Sequence, residues 1–429
     1  MGEGCVSMSS DTNMGVVKNI APSEANAEPV HSNRHVDRGA VAISTVSTHR
    51  YPVARIGVIG GGQLGRMMVT RAQKLGCQPV VLDPTPNSPA GQVSGHQIVG
   101  DYHDASRLRE LVESCDVTTF DIEDIDTTTL LELAAEGHII HPAPQVLATV
   151  QDKLLQKRCL DDYGVPTAEF RAVDQADAQV FAQFGYPLVQ KARRGGYDGR
   201  GVVIMRDDSQ FAHRLESPSL IERFVPAQKE LAVLVARAVD GDTRCYPAVE
   251  MLFHEGVNAL DMLLAPARID ASVAHAAQAM AIKAVDALGG VGIFGVELFL
   301  RADGSLLVNE VAPRTHNSGH HTIEANVTDQ FEQHLRAVLG LPLGDTTQVL
   351  PAVMMNLLGA PGSSGRPIIR GLQQALSIAG VSVHIYGKGR CMPHRKMGHV
   401  TVVDEDLNKA KAKAERVREL LSISGEQPI

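Results

Sequence analysis

The sequence predicts a chain of mixed class, α/β at first and α+β beyond, folded as three domains behind an N-terminal extension. Three observations carry this. From residue 53 to about 140, short apolar runs alternate with helical stretches, the βαβ pattern of a parallel sheet. After the linker His141-Pro142-Ala143-Pro144, strands come in runs and helices in runs, the order of an α+β fold. A length of 429 residues suffices for two or three domains that each bury a core. The boundaries fall at 53–150, 151–345 and 346–429, with 1–52 as a disordered extension.

The first strand, 55–59, runs into Gly60-Gly61-Gly62-Gln63-Leu64-Gly65 and a helix over 66–75; a strand at 79–82 ends at Asp83. Helix 105–114, strand 116–120 and helix 127–136 continue the alternation. Gly60-x-Gly62-x-x-Gly65 between strand and helix, with Asp83 near the ribose-binding position, is the fingerprint of a dinucleotide site. Its glycines let the backbone approach an anion at a helix N-terminus. The same run also makes a tight strand-to-helix turn that holds no ligand, and both readings stand at this point.

Helix 151–163 opens the second domain. Strand 186–191, the turn 195–201 and strand 202–205 form a hairpin. Strand 219–224, further strands to about 264, helix 274–288 and a hairpin of 293–300 with 306–311 follow. From about 349 come short strands and a Lys/Glu-rich closing helix, 406–421. Residues 1–52 hold no sustained hydrophobic period and no apolar signal core. Glu3, Asp11, Glu24, Glu28 and Asp37 also make them a poor organellar transit peptide.

Hydrophobic residues make up 44% of the chain, as in globular enzymes. The balance of 40 basic against 49 acidic side chains, a formal net charge of -9, speaks against nucleic acid as the main partner. Any phosphate ligand must be held by a local basic cluster. The cysteines Cys5, Cys77, Cys115, Cys159, Cys245 and Cys391 form no Cys-x-x-Cys pair, so neither a zinc ribbon nor a disulfide framework is suggested. A reduced, cytoplasmic setting is expected. No apolar run is long enough to span a bilayer.

The chemistry concentrates in four places. Asp303-Gly304 reads as a two-residue hairpin turn. With that loop Ala302 faces Ser305, later pairs follow in step, and Glu297 stands opposite Glu310 on one face. Opposed like charges repel. A divalent cation bridging the carboxylates relieves this, and magnesium suits oxygen ligands and arrives with a nucleotide's phosphates. A slipped register or two solvated glutamates is the competing reading. Strict alternation puts Asn309 on the other face, so a role as a ligand needs a local bulge or a long reach.

The run Gly195-Gly196-Tyr197-Asp198-Gly199-Arg200-Gly201 is a loop able to fold over phosphates, and Lys191 on the preceding strand supplies a point charge. An inert surface hairpin is the alternative. The stretch from Asn309 to His321 crowds an acid, a guanidinium, imidazoles and amides into a loop after a strand, where sites are commonly built. No zinc-ligand spacing is present there, and His320 and His321 read as satisfied by loop hydrogen bonds. Lys388-Gly389-Arg390 with His394-Arg395-Lys396 is either a cluster for a phosphate ester or a solvated basic loop.

Several of these runs coincide with one family. Gly60 to Met67, Gln151-Asp152-Lys153 with Gln156-Lys157, the 195–201 loop, Asn309 to His320 and Arg395 to Val400 resemble the N5-carboxyaminoimidazole ribonucleotide synthase family of purine biosynthesis. The likeness runs over 53–403. It implies an ATP-grasp architecture: an N-terminal Rossmann-like domain, a central ATP-grasp domain and a small C-terminal β-rich domain. It implies an ATP-dependent carbon–nitrogen ligase in which ATP phosphorylates bicarbonate to carboxyphosphate, which then carboxylates 5-aminoimidazole ribonucleotide.

By the same resemblance, Lys153 and Lys191 would hold ATP phosphates beneath the loop Gly196, Tyr197, Asp198, Gly199, Arg200 and Gly201, with Asn309 alongside. Glu222, Val225 and Glu230 would line the adenine and ribose pocket, and Glu297 and Glu310 would bind magnesium or manganese. Asp198, Arg314, His316 and Asn317 would meet the imidazole and carboxylating group, and Lys388, Arg395 and Lys396 the ribose phosphate. His316 would accept a proton, with Tyr197 as partner and Arg314 as the third catalytic group. A homodimer and a separate downstream mutase are the implied partners.

Four positions depart from the family pattern. Asp121-Ile122-Glu123 shortens the first acid of a Glu-x-Glu pair, and Phe253 takes the place of a histidine displaced to His254. His321 stands for a tryptophan and His394 for a glycine. The competing functions are another ATP-grasp ligase such as a formate-using glycinamide ribonucleotide transformylase, a nicotinamide-dependent oxidoreductase, and a binding protein without turnover.

Overall fold

The computed structural model describes residues 53–196, 201–253 and 260–428. The extension 1–52, the hairpin tip with Tyr197, Asp198, Gly199 and Arg200, and His254 lie outside the described residues.

Four parallel strands form the first sheet, in the order Gln97–Val99, Gln78–Asp83, Arg55–Ile59 and Val117–Phe120. Ile56 and Val58 pack on helix Gln63–Lys74, while Ile59, Val80 and Leu82 pack on helix Ala105–Glu113. Cover on both faces is why these strands read as continuous apolar runs. The helix expected over 66–75 begins three residues earlier, inside the glycine run, with Gly62 at its cap position. Aspartates start the next helices: Asp104, Asp126 and Asp152 each accept backbone N–H groups from the first turn of Ala105–Glu113, Thr127–Ala135 and Lys153–Asp162.

The main sheet is antiparallel and nine-stranded among the described residues. Its order is Leu306–Ala312, Gly292–Arg301, Ala227–Arg237, Val249–Phe253, Leu260–Ala265, Ala352–Leu358, Lys396–Val403 and Val381–Ile385, with Thr243–Cys245 beside Ala227–Arg237. The short strands after residue 349 extend this same sheet, Met262 pairing with Met355. Helix Ala271–Leu288 lays Ala277, Ala281 and Ala284 against Val233, Val235, Phe294 and Val296. Methyl-sized contacts let helix and sheet approach closely.

A second antiparallel sheet runs Phe170–Val173, Ser219–Arg223, Leu188–Ala192, Val202–Met205. It contains the expected hairpin, with Leu188 opposite Met205 and Lys191 opposite Val202. After helix Leu407–Leu420 the chain adds a strand that the periodicity did not predict, Ser422–Pro428, paired with Ser363–Arg370. No described helix is long and apolar enough to cross a membrane.

The hairpin of Gly292–Arg301 and Leu306–Ala312 corrects one expectation. Its loop has three residues, not two. The Arg301 N–H donates to Ser305 O, and Gly304 donates to Arg301 O, both at 2.9 Å. Gly304 alone takes a positive φ, 81°. This is the type I turn with a left-handed glycine, the other common hairpin closure. The altered loop shifts the pairing by one, so Leu298 faces Val308. A bulge between these pairs and Glu297 then restores the step, and Glu297 faces Glu310 after all, with Asn309 as the extra residue.

Candidate active site

The two antiparallel sheets meet at a cleft lined by charged side chains from both. On its floor Glu297 lies directly opposite Glu310. Both are recessed among protein atoms yet open to the cleft, 18% and 38% exposed at the side chain. Burial, then the charges of Glu310 and Glu230, push the Glu297 carboxyl above the usual range, whereas Lys153 holds Glu310 below it. Opposed, desolvated and all-oxygen, the pair fits a hard divalent cation such as magnesium or manganese.

Lys153 Nζ sits 2.6 Å from Glu310 Oε2. It is the first residue of helix Lys153–Asp162, whose start is pinned by Asp152. The Asp152 carboxylate accepts the Leu154 N–H at 3.0 Å and the Arg193 guanidinium at 2.6 Å, while the Lys153 N–H donates to Arg193 O at 2.9 Å. The helix start and the base of the glycine hairpin are thereby tied together.

From the smaller sheet Lys191 reaches the same floor. Its Nζ is 2.9 Å from Glu222 Oε2 and donates to Asn309 Oδ1 at 2.9 Å. The bulge is what turns Asn309 into the cleft, where its amide also donates to Glu297 Oε2 at 3.3 Å. Lys191 lies opposite Leu220 and Glu222 opposite Val189, so the two charged residues are diagonal neighbours on one face. Burial opposes the charge of Glu222, but Lys191 and Lys157 outweigh it and hold the carboxyl below its usual range. Gly195 and Gly201 stand at φ 75° and 69°, the left-handed region that favours glycine. A Cβ on Gly201 would lie 3.5 Å from Gly196 Cα. Glu230 sits opposite Met251 and Phe299, raised by burial and reached by the charge of Lys191. Val225 accepts the Ala227 N–H just before that strand.

The loop after Leu306–Ala312 carries three more expected residues, of which His316 reaches the acid pair. Arg314 Nη2 is 3.1 Å from Glu123 Oε1. His316 Nε2 is 3.6 Å from Glu297 Oε1, and its Nδ1 is 2.9 Å from Ser318 Oγ. Asn317 exchanges amide hydrogen bonds with Asn356 at 3.2 and 2.9 Å. His320 and His321 are buried, the first against Gln330 at 3.2 Å and the second against Ser318 O at 3.0 Å. Burial, with the charge of Lys396 adding, keeps His320 neutral. Lys396 is the first residue of strand Lys396–Val403. Lys388 Nζ stands 5.8 Å from the Tyr386 ring centre, and the Arg395 guanidinium donates to Arg390 O at 2.8 Å.

The Gly60–Gly65 turn is filled by the protein itself. Asp121 Oδ2 accepts the Gly65 N–H at 2.7 Å, and Asp83 Oδ2 accepts the Gly61 N–H at 2.8 Å and the Tyr102 hydroxyl at 2.7 Å. A Cβ on Gly60 would fall 1.6 Å from Asp121 Oδ1. The anion that a helix N-terminus attracts is here a buried side-chain carboxylate, which leaves no place for a pyrophosphate or for Asp83 on a ribose. That removes the structural ground for a nicotinamide enzyme. Burial outweighs the Gly65 hydrogen bond and pushes Asp121 up to about 6. A carboxyl raised in the fold is most favourable below the unfolded value and loses that advantage as pH rises through 6. Asp121→Asn is accordingly expected to gain stability relative to the parent by about 2 kcal/mol between pH 4.5 and 7.5. Melting curves of both proteins across that window check it, and a pH-independent difference refutes it.

Sequence reasoning gave no role to Glu123, Arg193 or Lys157, although each touches an expected site residue. Lys157 was at least visible, as the end of the Gln151–Lys157 run. Arg193 carried no signal, because its partner Asp152 is distant in the chain.

Residues 53–151 match the ribonucleotide synthetase preATP-grasp domain, 158–331 the ATP-grasp domain, and 352–413 the phosphoribosylaminoimidazole carboxylase C-terminal domain. The chain is 40% identical over 359 residues to the N5-carboxyaminoimidazole ribonucleotide synthase of Synechococcus elongatus, covering 82% of this chain and 90% of that one. The crystal structure of the corresponding synthetase from Thermotoga maritima superposes with a TM-score of 0.81 at 48% identity, covering 87% of this chain and all of that one. The Aspergillus clavatus synthase, solved with ADP and 5-aminoimidazole ribonucleotide, gives 0.79 at 36%, covering 86% and 98%. The chain spans about two thirds of the length of the phosphoribosylaminoimidazole carboxylases of Ogataea methanolica and Schizosaccharomyces pombe, 67% and 65%. Three matched domains in sequence, superposition over 87% of the chain and identities of 36 to 48% place this chain in the N5-carboxyaminoimidazole ribonucleotide synthase family of ATP-grasp ligases.

Proposed function

We infer that this chain uses ATP to carboxylate 5-aminoimidazole ribonucleotide to N5-carboxyaminoimidazole ribonucleotide in purine biosynthesis. The observation that carries the reading is the opposed Glu297–Glu310 pair, flanked by Lys153 and Lys191 between two sheets. A relative solved with ADP and the ribonucleotide supports the choice of substrates.

In this reading a bicarbonate oxygen attacks the γ-phosphorus of ATP, ADP leaves, and carboxyphosphate forms. Its carbon–oxygen bond to the phosphate then breaks, giving phosphate and carbon dioxide, and the exocyclic amine adds to that carbon with loss of a proton. A divalent cation on Glu297 and Glu310, when bound, supplies neutralising charge for the phosphates. Lys153 and Lys191 hold the same phosphates as ammonium point charges, which favours charge spreading in the transition state. Gly196, Tyr197, Asp198, Gly199, Arg200 and Gly201 bind them as well, and Glu222, Val225 and Glu230 line the nucleoside.

His316 takes the proton: Ser318 Oγ lies against its Nδ1, and its Nε2 is on the Glu297 side. Arg314, held by Glu123, meets the imidazole and carboxylating group together with Asn317 and Asp198, while Tyr197 partners His316. Lys388, Arg395 and Lys396 take the ribose phosphate. We place the enzyme in the cytoplasm as a homodimer feeding a separate mutase. The described cysteines Cys77, Cys115, Cys159, Cys245 and Cys391 are all free, which agrees with a reducing compartment.

The test is ADP release by the purified protein with ribonucleotide and bicarbonate supplied singly and together. Release that needs magnesium and rises when both are present is expected. Release driven instead by formate and glycinamide ribonucleotide, or none at all from folded protein, rejects the reading.

A further inference from the structure

Behind the cleft lies a charged residue that the proposed chemistry does not use. Lys157 projects from helix Lys153–Asp162 and is 3% exposed, as is Glu222. Its Nζ lies 3.5 Å from Glu222 Oε1 and donates to Val308 O at 3.4 Å. The other carboxylate oxygen, Glu222 Oε2, is taken by Lys191 at 2.9 Å. Two buried ammonium groups thus flank a single buried carboxylate, one on the cleft side and one behind it.

One cation is enough to neutralise Glu222, so the second needs a reason. If Lys191 were the only counter-ion, drawing it toward a phosphate would strand Glu222 as an unpaired buried charge, among the most costly states a protein interior can hold. We propose that Lys157 is the standing counter-ion of Glu222, a positioning residue whose charge frees Lys191 to engage nucleotide phosphate. The inference rests on the reading of Lys191 as a phosphate ligand.

The surroundings agree with this. The charged groups that face Lys157 are Glu222 and Lys191 from the smaller sheet and Glu310 from the hairpin, while helix Ala271–Leu288 presents buried alanines and Val285 on its packed face. Burial pulls the Lys157 ammonium down to about 8 and Glu222 counters that pull, so it is charged at neutral pH. The Glu222 oxygen nearest Lys157 has no hydrogen-bond partner, so Lys157 acts there through charge at ion-pair distance.

The experiment is a double-mutant cycle read by calorimetric binding of magnesium–ADP to the full chain. Lys157→Met is expected to weaken binding by about ten- to a hundredfold in the parent background and by less than about twofold in a Glu222→Gln background. A merely structural lysine gives the same loss in both backgrounds, and that result overturns the proposal. Unchanged ADP affinity in K157M overturns it as well. Should K157M fail to fold, the pair K157M/E222Q, which buries no charge at either position, must bind ADP as tightly as E222Q alone; weaker binding rejects the idea. Lys191→Met separates the two levels of inference. Weak binding in K191M with normal binding in K157M rejects the counter-ion role alone, whereas normal binding in K191M removes Lys191 from the phosphates and the proposal with it.

Discussion

Glu310→Ala is expected to lower magnesium-dependent ADP release on the order of a thousandfold, a loss typical of removing a principal electrostatic group from a reacting centre. Glu310 acts twice in the cleft. It is one of the two opposed carboxylates, and it anchors Lys153 at 2.6 Å. The alanine variant therefore loses a carboxylate proposed to hold the cation and releases the lysine from its fixed position. Stability moves far less. Glu297 is raised partly by the charge of Glu310, so removing that charge relieves repulsion while Lys153 loses a partner. A melting temperature within about 5 °C of the parent is expected. Turnover within tenfold of the parent would mean that the opposed acids are not the reacting centre. A large drop in melting temperature would mean that the pair is structural.

The second large effect concerns folding. Gly60→Ala is expected to destabilise the chain by about 3–4 kcal/mol, from about 1–3 for a side chain at strained backbone angles and about 1–3 for a displaced buried hydrogen-bonding group. Gly60 stands at φ 103°, and its added methyl would overlap the Asp121 carboxylate. Chemical denaturation of the two proteins measures the difference. A loss below about 1 kcal/mol would show that Asp121 can leave the turn, and would reopen the loop to a bound anion. Nicotinamide nucleotides are expected to bind neither protein.

The acid pair is legible in the sequence, because two departures of the hairpin from regular two-residue geometry cancel. The two-residue loop assumed for Asp303-Gly304 is a three-residue loop, which alone would have moved Glu297 away from Glu310. The bulge at Asn309 adds one residue on the opposite strand and restores the pairing. Local sequence does not distinguish these closures, because Asp-Gly suits both a two-residue turn and a turn with a left-handed glycine third. A ligand role for Asn309 needs such a bulge or a long reach, and the bulge is present. The glycine fingerprint failed differently. Its strand and turn are where expected and its helix starts three residues early, but the anion at the helix start comes from Asp121, and no spacing rule announces that.

Periodicity and turn chemistry were enough for the alternating first domain, the 188–205 hairpin and the types of most elements, since each depends on neighbours a few residues apart. Residue types likewise singled out the lysines, the paired glutamates and the 309–321 loop, because buried charge and dense glycine are rare enough to stand out. Pairings between distant segments were decided by tertiary structure alone. Met262 beside Met355, Arg193 on Asp152 and Lys157 behind Glu222 are contacts whose partners lie on separate elements. Their physical basis is the burial of one apolar face against another and the neutralisation of charges that burial brings together. Neither condition exists in the unfolded chain, and neither leaves a local mark on it.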